Sequence, residues 1–282
     1  MSLMVNTNLA SIDATTNLNK TTTSLSMAEQ RLSSGLRINS AADDVAGYGI
    51  SQSLQAQVNG LSVATQNSQD AIALAQTGQG ALNDVEQMLQ RIRELAVQFA
   101  NGTTSTEGKE SIENETTQLK EEIKRVGETT EFNGTKLLEK EKATEITFQV
   151  GANAGKSEQI SIKIVELTAE KGLAEVHSVV ATESKTLLEE AEGKDLTKVS
   201  KAIAEVAKAA GEFGAVQDRV QYAQANTEVY GENLESAKAA LTNVNMASEM
   251  TNFTNLQVLQ QAGVAILAQA NAQPQSVLKL LG

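Results

Sequence analysis

The sequence predicts a mainly α protein: a long antiparallel helical rod of coiled-coil character with one small β-hairpin. Three observations predict it. Apolar residues recur in steps of three and four over most of the 282 residues. Proline occurs once, at Pro274, so long helices can run uninterrupted. Alternating strand patterns are confined to a short stretch around residues 145–166.

The sequence opens with a helical pattern over residues 5–32, where Leu18, Leu25 and Leu32 are spaced by seven. Its other positions are Asn, Thr, Ser and Gln, which are weak helix formers, so this helix needs partners on more than one side. Gly35 can end it, and Ser40 or Asp43 can cap the next, with Asp44 in the first turn. From about residue 44 to 100 the pattern runs through Leu54, Leu61, Ile72, Leu82, Leu89, Ile92 and Phe99. A helix of that length reaches roughly 85 Å, too long for a compact globule. Asn101-Gly102 stops it.

Thr104-Ser105-Thr106-Glu107 has the form of a capping box, and the following helix has Ile112, Leu119, Ile123 and Val126 on one face, with Gly127 as its stop. The short connection predicts antiparallel packing on the long helix. Ile146, Phe148 and Val150 then alternate, as do Ile160, Ile162 and Ile164, which predicts the hairpin. Residues 168–194 show the weakest pattern and read as a surface segment with some helix, His177 among its exposed side chains. From Leu196 to Val244 the apolar step averages ~3.5 residues, the coiled-coil value, and the 44–100 helix is the one partner long enough for it. A last helical pattern carries Leu256, Leu259, Ile266, Val277 and Leu280, with a kink expected at Pro274.

Charge divides the sequence. Residues 1–42 carry +1 and residues 241–282 are neutral, so residues 43–240 carry −13 within a total of −12. The two ends therefore pair as one unit, 1–42 with 241–282, and 43–240 forms a second, with the hairpin and the 168–194 segment as its additions. The uncharged end helices have too little mass for a core of their own, so burial in a larger assembly would supply the missing contacts. Leu18, Leu25, Leu32, Leu256, Leu259, Ile266, Val277 and Leu280 are the candidate assembly residues. Arg37 and Asp43, in the polar passage between the first two helices, are candidates for contacts between neighbouring copies.

Composition excludes several classes of function. The acidic balance argues against electrostatic nucleic-acid binding. No segment is long and apolar enough to span a bilayer, and the terminal helices lack the basic face of a membrane-active protein. With one histidine and no cysteine, the usual nucleophile pairs, zinc motifs and thiolate sites are missing, so neither catalysis nor a cofactor is expected. Asn101-Gly102-Thr103, Asn114-Glu115-Thr116, Asn133-Gly134-Thr135 and Asn252-Phe253-Thr254 fit a glycosylation pattern too short to carry weight.

Four stretches resemble the bacterial flagellins and their hook-associated relatives. They are QRLSSGLRINSAADDVAGYG at 30–49, LQRIRELAVQFANGT at 89–103, TEFNGTKLL at 130–138 followed by FQVGANAG at 148–155, and the run from Glu232 to Gly282 ending in SVLKLLG. The resemblance implies a subunit that polymerises with itself into the flagellar filament, with the paired end helices lining its channel. It also implies export through the flagellar type III channel, an extracellular location, and an export chaperone and cap or junction proteins as partners. A hook–filament junction protein is the alternative; QRIRELA, FQVGANAG and SVLKLLG favour the filament subunit. The short 168–194 segment, where larger flagellins carry outer domains, implies a comparatively smooth filament. The QRIRELA motif further implies recognition of the monomer by Toll-like receptor five, with Arg91 and Leu95 on one helix face and Glu115 opposite them.

Overall fold

The computed structural model describes residues 7–139, 145–167, 173–189 and 195–281; for Glu189, Asp195 and 274–281 the backbone alone is described. Among these residues, seven α-helices and two β-hairpins make up a mainly α fold. It divides into two compact units, one of residues 1–56 with 233–282 and one of residues 57–232. The divisions fall inside long helices rather than at the polar passages near 42 and 241.

In the first unit, α1 (Leu9–Ser34) starts at Asn8, whose side-chain oxygen accepts the Ser11 N–H at 3.1 Å. It ends where Gly35 turns left-handed at φ 71°, and the Gly35 N–H closes the helix on the Arg31 carbonyl at 2.9 Å. α7 (Met246–Leu281) lies antiparallel against it. The Asn8 amide donates to the Ala270 carbonyl at 2.8 Å, and Gly263 lets the backbone come close to Leu18, whose Cδ1 would stand 3.2 Å from a Cβ there. Leu25, Ala28 and Ala270 are buried. α7 continues through Pro274 without a break: one N–H bond is lost there, but the proline's fixed φ is helical. Val277 and Leu280 lie outside the described side chains.

The second unit contains most of α2 (Val45–Phe99) and α6 (Asp195–Thr242). They pack antiparallel, with Leu61 beside Gly231, Gln79 beside Gly214, and the Phe213 ring seated on Gly78. α3 (Thr106–Thr129) folds back on α2, as the short connection predicts. Its N-cap is Ser105, which accepts the Gly108 N–H at 3.1 Å, one residue later than the capping-box reading. Gly127 does not end α3. It is buried inside the helix, which stops two residues later, before extended Thr130.

β3 (Glu145–Gln149) and β4 (Gln159–Lys163) form the expected hairpin, pairing Ile146 with Ile162 and Phe148 with Ile160. A second, shorter hairpin goes beyond the sequence expectation: β1 (Glu131–Phe132) and β2 (Thr135–Lys136) turn at Asn133-Gly134, φ 49° and 77°. Both φ values are positive, as a type I′ turn requires. α4 (Ala174–Ala181) and α5 (Ser184–Glu189) occupy the described part of the segment read as surface. They bury Val176, Val179, Leu187 and Leu188 against the core, so the segment belongs to the packed interior. His177 is half-buried rather than exposed. The main cluster runs from Leu74, Leu82, Leu89 and Ile92 of α2 to Val199, Val206 and Phe213 of α6.

Candidate functional site

Two surfaces carry the candidate residues. The first is the α1–α7 pair. Its seam uses one stripe of each helix: Leu25 is buried, and Leu18, Leu32 and Leu256 are half-buried. Leu259 and Ile266 face outward, 56% and 60% exposed. Ala14, Leu18, Leu259, Ala262, Gly263 and Ile266 line a shallow apolar groove on this pair. Leu9 and Ile12, which the period places near the Leu18–Leu25–Leu32 stripe, also face outward, and periodicity alone misses the rest of the outward set, which includes Met27 on α1 and Met246, Met250, Val258 and Val264 on α7. The available signal is a pair of apolar residues adjacent in sequence, such as Val258-Leu259, because one helix face cannot hide both. Each such side chain, fully buried, contributes about 1.5–3 kcal/mol. Among the described residues nothing covers them.

The polar passage between α1 and α2 serves its own subunit. The Arg37 guanidinium donates to the Leu241 carbonyl at 2.7 Å, and the Arg37 N–H donates to the Thr242 carbonyl at 2.6 Å. The Val244 N–H returns a bond to the Gly35 carbonyl at 3.0 Å. Asp43 accepts the N–H groups of Asn39 and Ser40, at 3.1 and 3.0 Å, and the Ser40 hydroxyl. The Ser40 N–H above all, and then that of Asn39, hold its carboxyl below the usual carboxylate range. The expectation that Arg37 and Asp43 lack partners in their own subunit is therefore corrected: short backbone partners within the same polypeptide engage both, and both residues remain exposed. The cap of α2 is Asp44, which accepts the Gly47 N–H at 2.9 Å, rather than Ser40 or Asp43. Arg31, in the last turn of α1, stands 4.0 Å from Asp43 and 3.9 Å from Glu249 of α7.

The second surface lies where α3 folds back on α2. Arg91 Nε donates to Glu115 across the two helices at 2.7 Å, and its Nη1 donates to Glu94 one turn on at 3.1 Å. These bonds, to Glu115 first, raise the Arg91 pKa further, so the guanidinium is charged throughout the ordinary pH range. The cluster is open to solvent. Leu95 is not part of that surface: at 1% exposure it packs with Ala96, Phe99, Ile112 and Leu188. A step of four residues advances about 40° around a helix, enough to take a side chain from the rim into the seam. Leu95 thus fixes the helix that presents Arg91. Lys109 lies 4.7 Å over the Phe99 ring and closes the same corner. Among the described residues no helix is long and apolar enough to cross a membrane.

A helix pair with an uncovered apolar stripe, joined in one polypeptide to an acidic packed unit, defines the class: a structural subunit made for self-association. The family follows from comparison with known proteins. The bacterial flagellin N-terminal helical region matches residues 5–143, and the C-terminal helical region matches residues 196–281. A flagellin of Halalkalibacterium halodurans is 40% identical over 279 residues, 99% of this chain and 100% of its own. A flagellin of Bacillus subtilis is 39% identical over 307 aligned positions, again 99% and 100%. A solved structure from Vibrio parahaemolyticus, provisionally described as a flagellar hook-associated protein, shares the fold at a TM-score of 0.59 and 13% identity, covering 71% of this chain and 100% of that one. The protein belongs to the bacterial flagellin family.

Proposed function

We propose that the protein builds the flagellar filament by burying the outward stripes of α1 and α7 against other copies. Its membership of the flagellins makes it a structural component of that filament, and full-length similarity to filament proteins favours this over a junction protein. The observation that carries the assembly surface is Leu259 and Ile266, more than half exposed on a helix whose other stripe is already paired. Contacts between unlike faces extend into an open helical tube when the rotation from copy to copy does not close into a ring. Export through the flagellar channel, a chaperone for the apolar ends, and cap and junction proteins at the growing tip belong to the same reading. Deleting residues 252–282 removes most of the α7 half of the surface, Leu259 and Ile266 included. The expected product is a soluble monomer with the 57–232 unit folded; filaments from the truncated protein would overturn the proposal.

A second reading rests on Arg91 and Glu115. Their bond presents a solvent-facing charge pair across two helices, beside buried Leu95. We propose this face as the contact of the monomer with Toll-like receptor five.

A further inference from the structure

We infer that Asn101-Gly102, at the corner between α2 and α3, is a site of spontaneous deamidation, and that the fold spares the other two Asn-Gly pairs. The sequence holds three such pairs, at 59–60, 101–102 and 133–134. The reaction is the same at each. The backbone nitrogen of the glycine attacks Cγ of the preceding asparagine and forms a C–N bond. The carboxamide Cγ–NH2 bond breaks, and ammonia leaves with the proton from the glycine nitrogen. Water then opens the five-membered succinimide at either carbonyl and gives aspartate or isoaspartate. No oxidant or reductant is needed, and water is the one co-reactant.

Geometry separates the three pairs. Gly60 lies inside α2, where its N–H belongs to the helical ladder and its backbone packs on the hairpin tip, with Ala152 Cβ 3.0 Å from where a Cβ would stand. Its nitrogen cannot turn onto Asn59 without opening the helix. Asn133-Gly134 is exposed but held between paired strands, with Phe132 opposite Thr135 and Glu131 opposite Lys136. The Lys136–Glu131 ion pair at 3.1 Å straps the same turn. A type I′ turn keeps the Asn133 ψ near about +30°, and ring closure needs a rotation that would break this turn.

Asn101-Gly102 has neither restraint. α2 ends at Phe99, both residues are exposed, and nothing stands within 4 Å of the Gly102 Cβ position. Among the described residues the Gly102 N–H donates to no acceptor. The Thr103 N–H, in contrast, donates to Asn101 Oδ1 at 3.3 Å. That bond draws electron density from the carbonyl under attack and stabilises the oxyanion as the ring closes. The product places a new negative charge at the C-terminal end of α2, where the helix dipole is already negative. Isoaspartate also lengthens the backbone by one methylene at a corner tied by the Thr104 N–H to the Asn101 carbonyl and by the Thr104 hydroxyl to the Gln98 carbonyl.

The test follows the full-length protein in mildly alkaline buffer and in urea, with peptide mass mapping of all three sites over time. In the folded protein Asn101 should gain close to one dalton at least about tenfold faster than Asn59 or Asn133, because those two react only through local opening. In urea the three rates should converge, and Asn101→Gln should remove most of the conversion in the folded protein. Equal rates at Asn133 and Asn101 in the folded protein would overturn the inference. So would a preference for Asn101 that survives in urea, since neighbouring sequence rather than the fold would then be responsible.

Discussion

Lys120 of α3 carries its ammonium under the turn between α4 and α5, where Nζ donates to the Thr182 carbonyl and lies 3.5 Å from the Ser184 hydroxyl. The residue is nearly buried, and burial lowers its pKa from the ordinary lysine value, partly offset by the Glu183 carboxylate. Between the lowered folded pKa and the ordinary unfolded one, the unfolded state binds the extra proton, so this lysine makes the fold more stable as pH rises through that window. Stability of the natural protein relative to Lys120→Met should therefore increase from neutral pH toward about pH 10, read from urea unfolding of both at each pH. A gap that stays constant or shrinks would show that the ammonium is not held in a desolvated place. Arg91 is the contrasting case. Its charge is exposed and its bonds to Glu115 and Glu94 are solvated, so little stability is expected from it. Arg91→Ala with Glu115→Ala should leave the unfolding midpoint in place and lower receptor signalling by the monomer; unchanged signalling would dismiss the receptor face.

At the scale of elements, what can be read from the sequence depends on length. α2 and α6 run for 55 and 48 residues, long enough for a repeat of threes and fours to stand above chance, and their antiparallel packing follows. β3 and β4 declare themselves by alternation, and the register of Ile146 with Ile162 matches it. α4 and α5 have eight and six residues, too few to show a period, and what holds them is tertiary: Val176 and Leu187 go into the core from a segment whose composition looks solvated. The Asn133-Gly134 turn is legible as a hairpin signal, but its flanking strands of two residues each offer no alternation to support it. The spacing of four between Arg91 and Leu95 reads as one shared face, yet the small angular drift crosses the boundary of burial. Gly78 tests the α2–α6 seam directly. A Cβ there would lie 2.6 Å from Cε1 of the Phe213 ring, a side chain packed in the core with little room to move. Alanine gains helix propensity of about 1 kcal/mol over glycine but overpacks the seam by about 1–3 kcal/mol. Gly78→Ala should therefore lower stability slightly, and adding Phe213→Leu should reverse the sign of the alanine effect. An alanine at 78 that stabilises the natural protein would mean that the seam is looser than its geometry indicates.

The whole molecule is built from two units that satisfy themselves to different degrees. The unit of residues 57–232 packs α2, α6 and the shorter α3–α5 elements around one main cluster and two smaller ones, with Leu82, Val85, Leu89, Ile92 and Ile123 of the main cluster completely buried. The unit of residues 1–56 and 233–282 leaves Leu9, Ile12, Val258, Leu259, Val264 and Ile266 more than half exposed, and among the described residues its few buried apolar side chains are confined to the seam and to Ile38. An isolated helix pair of this kind is marginal, since each helix is rich in Asn, Thr, Ser and Gln and the seam alone offsets little of its conformational entropy. Stability of that unit and assembly of the polymer are thus the same free energy, seen at different concentrations. This coupling separates a substitution in the seam from one on the outward stripe. Leu25→Asp breaks the pair itself and should abolish both its helicity and its polymerisation. Leu259→Asp with Ile266→Asp keeps the buried seam residues Leu25, Ala28 and Ala270 and introduces charge where other copies must bury apolar surface. The double substitution should retain the monomer's circular dichroism and unfolding profile, while sedimentation and electron microscopy find no filaments at concentrations where the natural protein polymerises. Polymerisation at an unchanged critical concentration would remove the outward stripe from the interface and leave the seam as the only function of α7's apolar residues.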